Sequence, residues 1–137
     1  MLLTSYYGNP YLDPNRQFLV RISNTAPDGF PLNYVFQDAV PTWETIVGPC
    51  RGGLISEDEA GRRYRNLLDS KERHILRSLG DIRRRAAALG REDVVFLCHE
   101  KPGRFCHRHV FADWLGEKAG EPVKEYKTPA SVEPTLF

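Results

Sequence analysis

A chain of 137 residues can bury one hydrophobic core without cross-links, and a formal net charge of +1 gives it no general pull toward nucleic acid or an anionic membrane. Hydrophobic content of 41% and charged content of 27% are those of an ordinary globular domain. No run approaches a membrane span and the opening MLLTSYYGNP lacks the charged start of a secretory leader. Three cysteines cannot all pair, so free thiols in a reducing cytoplasm are expected.

Leu2 to Tyr7 is apolar and aromatic and is closed by Gly8-Asn9-Pro10, the pattern of a first strand; FLVRIS, Phe18 to Ser23, reads as a second. The residues between them are too few for a full crossover helix. That leaves either antiparallel pairing or a short helical turn in the helix's place. Residues 24–53 are the least regular part, with Pro27, Pro31, Pro41 and Pro49, yet they carry Phe30, Tyr34, Phe36 and Trp43. A long irregular stretch with that many aromatics should pack over something, and such stretches are often functional.

Helical signals begin at Ser56, which forms a capping box with Glu59 ahead of Ala60, Tyr64, Leu67 and Leu68 on one face. Asp69 and Glu72 suggest a second box. Ile75, Leu79, Ile82, Ala86 and Leu89 follow at helical spacing, closed by Gly90. These are two consecutive helices, or one broken near Asp69-Ser70. Asp93 to Cys98, DVVFLC, is the continuous apolar run of a strand buried on both faces, as in a parallel sheet. Phe105 to Ala119 reads as a helix with Phe111, Trp114 and Leu115 inward, and EPVKEY as a short edge strand. The expected fold is α/β: a single compact three-layer domain over residues 1–126, with a mostly parallel, Rossmann-like sheet flanked by helices. Its last strand-helix-strand unit is a right-handed crossover if the two strands are neighbours. Residues 127–137 form an extended tail.

The chemistry concentrates in VVFLCHEKPGRFCHRHVFADWL, Val94 to Leu115, where a strand passes through a loop into a helix. Ligands of open α/β sheets sit beyond the carboxyl ends of strands, and helix starts favour anions. Arg108 adds a bidentate fork, and a thiol at a helix start is tilted toward thiolate. Three readings compete. A metal site on Cys98, Cys106 and a histidine lacks a complete ligand set, so no metal and no other cofactor is expected. A nucleophilic Cys98 in a phosphate-cradling loop would need its arginine nearer than Arg108. The preferred reading is an anion site held by Arg108, with Glu100 as acid or base. Cys98 better suits a small buried hydrophobe, Cys106 suits that or a functional thiol equally, His99 and His109 suit the surface, and full pairing of Glu100 with Arg108 would make the segment structural.

The same residues resemble the family called domain of unknown function 488, whose hallmark is an apolar strand ending in Cys-x-Glu, a short loop, and Cys-His-Arg opening a helix. Cys98, Glu100, Cys106, His107 and Arg108 stand at those places. Arg21, Ser23 and Pro27 in VRISNTAP, Pro41 in AVPTWE, and Tyr64 resemble a subgroup's further positions. The chain departs from the commoner pattern in lacking a histidine-containing first turn and a full helix between the first two strands. The resemblance implies a compact α/β fold and brings no reaction with it.

The function expected from these residues is a small cytoplasmic enzyme or binding protein for an anionic metabolite, such as a nucleotide. Glu100, Cys106 and His107 are its candidate catalytic groups, and Arg108, Cys98, Arg21 and Ser23 its candidate ligand contacts. The rival is a non-catalytic module binding nucleic acid or protein, with the Cys-His-Arg segment structural. Its support is the aromatic stretch and the clusters Arg62, Arg63, Arg65 and Arg83, Arg84, Arg85; its weakness is the near-zero net charge.

Overall fold

The structure, a computed structural model, describes residues 1–99 and 107–129. Five strands, β1 (Leu2–Tyr6), β2 (Gln17–Arg21), β3 (Tyr34–Val35), β4 (Asp93–Cys98) and β5 (Val123–Glu125), form one all-parallel sheet in the order β3-β2-β4-β1-β5. The helices are α1 (Gly48–Arg51), α2 (Glu57–Ser70), α3 (Glu72–Ala88) and α4 (His107–Ala119); a 3-10 turn (Gln37–Ala39) and a π-helical turn (Trp43–Val47) precede α1. The expected class, a compact α/β domain on a parallel sheet, is the one observed.

β4 is central, paired with β1 on one side and β2 on the other, which explains its unbroken apolar run. Alternation divides its side chains between two cores. On one face Val94 and Phe96 join Phe18 and Val20 of β2 and pack under Leu68, Ile75, Ile82, Phe111 and Trp114 of the helices. On the other, Val95 and Leu97 join Leu3 and Leu19 and are covered by Leu12, Phe30, Leu32 and Tyr126. The third layer is therefore irregular chain rather than helix.

That layer explains the short first connection. β1 and β2 are parallel and not neighbours, since β4 lies between them, so antiparallel pairing is ruled out. Residues 7–16 cross the sheet as successive turns. Arg91 on the far side of the chain donates from Nη1 to Pro14 O and, at 3.1 Å, to Gln17 O. β1 also lies between β4 and β5, so the last strand-helix-strand unit does not join neighbours.

Ser56 caps α2 as expected, its Oγ accepting from Glu59 N at 3.0 Å. Asp69 does not cap α3. The chain breaks at Lys71, and the Asp69 carboxylate accepts from the indole Nε1 of Trp114 at 2.8 Å. Trp114 is fully buried, so this bond satisfies a donor that water cannot reach. Asp69→Ala should cost about 1–3 kcal/mol, and Asp69→Asn, which keeps an acceptor, clearly less. Urea midpoints of the two variants check this.

Every arginine of the two basic clusters has a carboxylate partner. Arg62 and Arg63 pair with Glu59, Arg65 with Glu117, Arg83 with Glu121, and Arg84 and Arg85 with Asp81. Among the described residues no helix is long and apolar enough to cross a membrane.

Candidate functional site

β2 and β4 are adjacent, yet their chains leave the sheet in opposite directions. After β2 the chain turns onto the irregular face toward β3; α4, which follows β4, packs on the helical face before β5. Such a divergence opens a crevice beyond the strand ends. A cavity of about 420 Å³ lies there, a size suited to a small molecule. The strand ends contribute Ser23, Asn24, Thr25 and His99; α4 contributes His107; Ala60 forms part of the floor. The remaining wall is the π-helical turn and α1, through Trp43, Ile46, Val47, Cys50 and Arg51.

His107 is the first residue of α4 and is fixed by its ring. Nε2 lies 2.7 Å from Ile22 O. A carbonyl only accepts, so Nε2 carries the hydrogen. Nδ1 has no hydrogen-bond partner among the described residues and is left as an acceptor. Tyr64 meets the ring edge-on at 5.5 Å and is itself anchored by its hydroxyl, which donates to Ala39 O at 2.5 Å. Burial lowers the His107 pKa from 6.5 to about 4; the bond to Ile22 opposes this, while the positive charges of Arg108 and Arg51 add to it. The imidazole is therefore neutral at pH 7. Burial also holds the Tyr64 phenol well above its usual value.

A second set of bonds fixes the rim. Ser23 Oγ donates to Thr25 O at 2.6 Å, so in the 2.7 Å contact with Tyr7 the tyrosine hydroxyl is the donor. His99 Nε2 donates to the same Thr25 carbonyl at 2.8 Å and lies 3.0 Å from Thr25 Oγ1. Its ring rests against Tyr7 at 4.8 Å. Both described histidines of the rim thus face β2's exit with Nε2 engaged.

The wall formed by residues 43–51 depends on Gly48. A Cβ there would lie 2.9 Å from Trp43 O and 3.1 Å from Trp43 Nε1, so only glycine lets α1 fold back against the indole. The Arg51 guanidinium stands over the Trp43 ring at 5.8 Å, and Trp43 remains 51% exposed. Cys50 is a half-buried free thiol.

The expected site residues divide. Ser23 and His107 line the cavity. Arg108, expected as the anion's partner, is fully buried and does not line it. Its Nε and Nη2 bond both carboxylate oxygens of Glu125 at 3.0–3.2 Å, its Nη1 donates to Cys98 Sγ at 3.1 Å, and its guanidinium stands over the Tyr6 ring at 5.8 Å. Among the described residues the carboxylate facing it is on β5, in an edge strand whose acid drew no attention in the sequence. Arg21 points to the irregular face, where its Nη1 donates to Asn24 O at 3.3 Å, and it does not line the cavity. Cys98 is buried at the end of β4 and disulfide-bonded, which corrects the expectation of three free thiols. An odd count of cysteines does not forbid a bridge, and among the described residues Cys50 is a free thiol. Glu100 and Cys106 lie outside the described residues, as does the tail beyond residue 129. Among the described residues no group of three or more histidines, cysteines or carboxylates is placed to hold a metal ion.

Sequence reasoning did not single out Trp43, Cys50 or Arg51 as a wall; its one pointer was the aromatic content of the irregular stretch. No family model, curated protein or solved structure matches the chain.

Proposed function

We propose that the chain binds a small anionic metabolite, of nucleotide size or less, in the cavity beyond β2 and β4, and that His107 exchanges a proton with it. The observation that carries this reading is His107 itself: a neutral imidazole, anchored through Nε2 to a main-chain carbonyl, at the wall of a cavity of about 420 Å³. Arg51 lines the same cavity, and its positive charge adds a small share to the lowering of the His107 pKa. An anion bound beside His107 would raise its proton affinity, so that Nδ1 becomes a proton acceptor only when the cavity is filled.

The structural reading of the Cys98–Arg108 segment is supported by the Arg108–Glu125 bonds, and the two readings are compatible because the cavity does not use Arg108. The proposed kinship with the domain of unknown function 488 family rests on Cys98, His107 and Arg108.

A thermal-shift panel of small carboxylates and phosphates tests the proposal on the wild type and on Val47→Phe, which fills the cavity. A ligand that binds only the native state adds about 2.7 kcal/mol at a hundredfold excess over its Kd, a rise of several degrees in Tm. The expected result is a rise in the wild type that Val47→Phe abolishes. Equal shifts in both proteins, or no stabilising anion in the panel, would count against it.

A further inference from the structure

Resting on that reading, we infer the chemical class of the ligand: a flat aromatic or heteroaromatic anion that presents a ring N–H or hydroxyl donor to His107 and lays its ring against Trp43. Three observations converge on it. Trp43 is 51% exposed, whereas the chain's other tryptophan, Trp114, is fully buried. Trp43 meets the Arg51 guanidinium at 5.8 Å from its ring centroid, and an indole left half in water at the wall of a cavity still offers apolar area for a ligand ring to cover.

The Trp43 plate is built, not incidental. It opens a π-helical turn, a rare geometry frequent at functional sites, and its approach to α1 requires glycine at position 48. The rest of that wall, Ile46 and Val47, is aliphatic, so the wall as a whole suits a ring face rather than a hydrated chain.

The opposite requirement comes from α4. With Nε2–H engaged by Ile22 O, the neutral ring offers only a lone pair on Nδ1. A ligand that fills the cavity and presents another acceptor there leaves two lone pairs facing each other; a ligand with a donor satisfies both. The volume of about 420 Å³ accommodates one ring system with a substituent.

Three probes separate these features on the full chain. Indole-2-carboxylate is flat, anionic and carries the N–H; 1-methylindole-2-carboxylate lacks only the donor; cyclohexanecarboxylate keeps the charge without the flat ring. Binding is followed by the two tryptophan indole N–H resonances, assigned with Trp43→Phe, Trp114 serving as the internal control. The expected result is an upfield ring-current shift of the Trp43 resonance alone with indole-2-carboxylate. Binding should weaken about tenfold on N-methylation, and by a similar factor in Trp43→Leu. If cyclohexanecarboxylate binds as tightly and Val47→Phe removes it, the anion cavity stands and the flat-ring inference falls. Binding that neither N-methylation nor Trp43→Leu weakens also overturns the inference. If none of the three binds, or binding survives Val47→Phe, both readings fall.

Discussion

Arg108→Met should lower the unfolding free energy by about 3–5 kcal/mol, because it leaves the carboxylate of Glu125 without its partner in a largely buried place. The arginine is fully buried and Glu125 only 18% exposed, and the guanidinium holds both carboxylate oxygens through Nε and Nη2. Thr4 Oγ1 donates to the same carboxylate at 2.9 Å, so the pair also fastens the edge strand β5 onto β1. Arg108→Lys keeps the charge but loses the fork and should cost stability as well. Glu125→Gln removes the carboxylate charge held by the buried guanidinium and should be destabilising in its turn. The double variant Arg108→Met/Glu125→Leu, which removes both charges, should recover much of the loss. Urea denaturation with unchanged m-values reads all four. A loss below about 1 kcal/mol for Arg108→Met would show that the pair does not hold the fold, and would return Arg108 to the ligand.

Acidification from pH 6.5 to 4 should remove about 3 kcal/mol of stability through His107 alone. The sign follows from burial. The folded pKa is about 4 and the unfolded one 6.5, so below pH 6.5 the unfolded chain takes up a proton that the native ring refuses. Stability falls through that window and this contribution levels off below about pH 4, where both states are protonated; above pH 6.5 it vanishes. His109 shifts in the same direction, chiefly by burial with Arg108 beside it, and adds a slope of the same sign. His107→Gln keeps a donor for Ile22 O and cannot titrate. The difference between wild type and His107→Gln across the window therefore isolates His107. Parallel stability–pH curves for the two proteins would contradict the buried neutral imidazole.

Both effects involve residues that stood out in the sequence, but for partners that did not. Strand β4 was legible because a run with no polar alternation implies cover on both faces, and Ser56 because its cap is local. The insertion of β4 between β1 and β2 was not legible, since nothing in the short segment 7–16 records which distant strand will fill the gap. The bonds from Arg108 to Glu125 were not legible either, since charge spacing along a chain carries no information about an edge strand added after a helix. Asp69 had the spacing of a cap, yet packing of α4 on α2 brought the Trp114 indole to it first. The wall at residues 43–51 was hidden for another reason. A single π-helical turn has no repeating apolar period, so Trp43 and Cys50 registered only as residues of an aromatic, proline-rich stretch. Of the expected site residues, Ser23 and His107 came to the cavity because both follow directly from the exits of β2 and the entry of α4. Arg21, two residues earlier, still lies within β2, paired with Val35 and Leu97, so its side chain stands on the sheet rather than beyond the strand end.

The central claim is that the crevice beyond β2 and β4 is where a small anion binds, and Cys50 reports on it directly. The thiol is free, half-buried and in the cavity wall. Its rate of alkylation by iodoacetamide, followed by the mass of the peptide ending at Arg51, should fall about tenfold when the most stabilising anion of the thermal-shift panel is present at tenfold its Kd. An unchanged rate at that occupancy would place the anion elsewhere on the protein and contradict the assignment of the cavity.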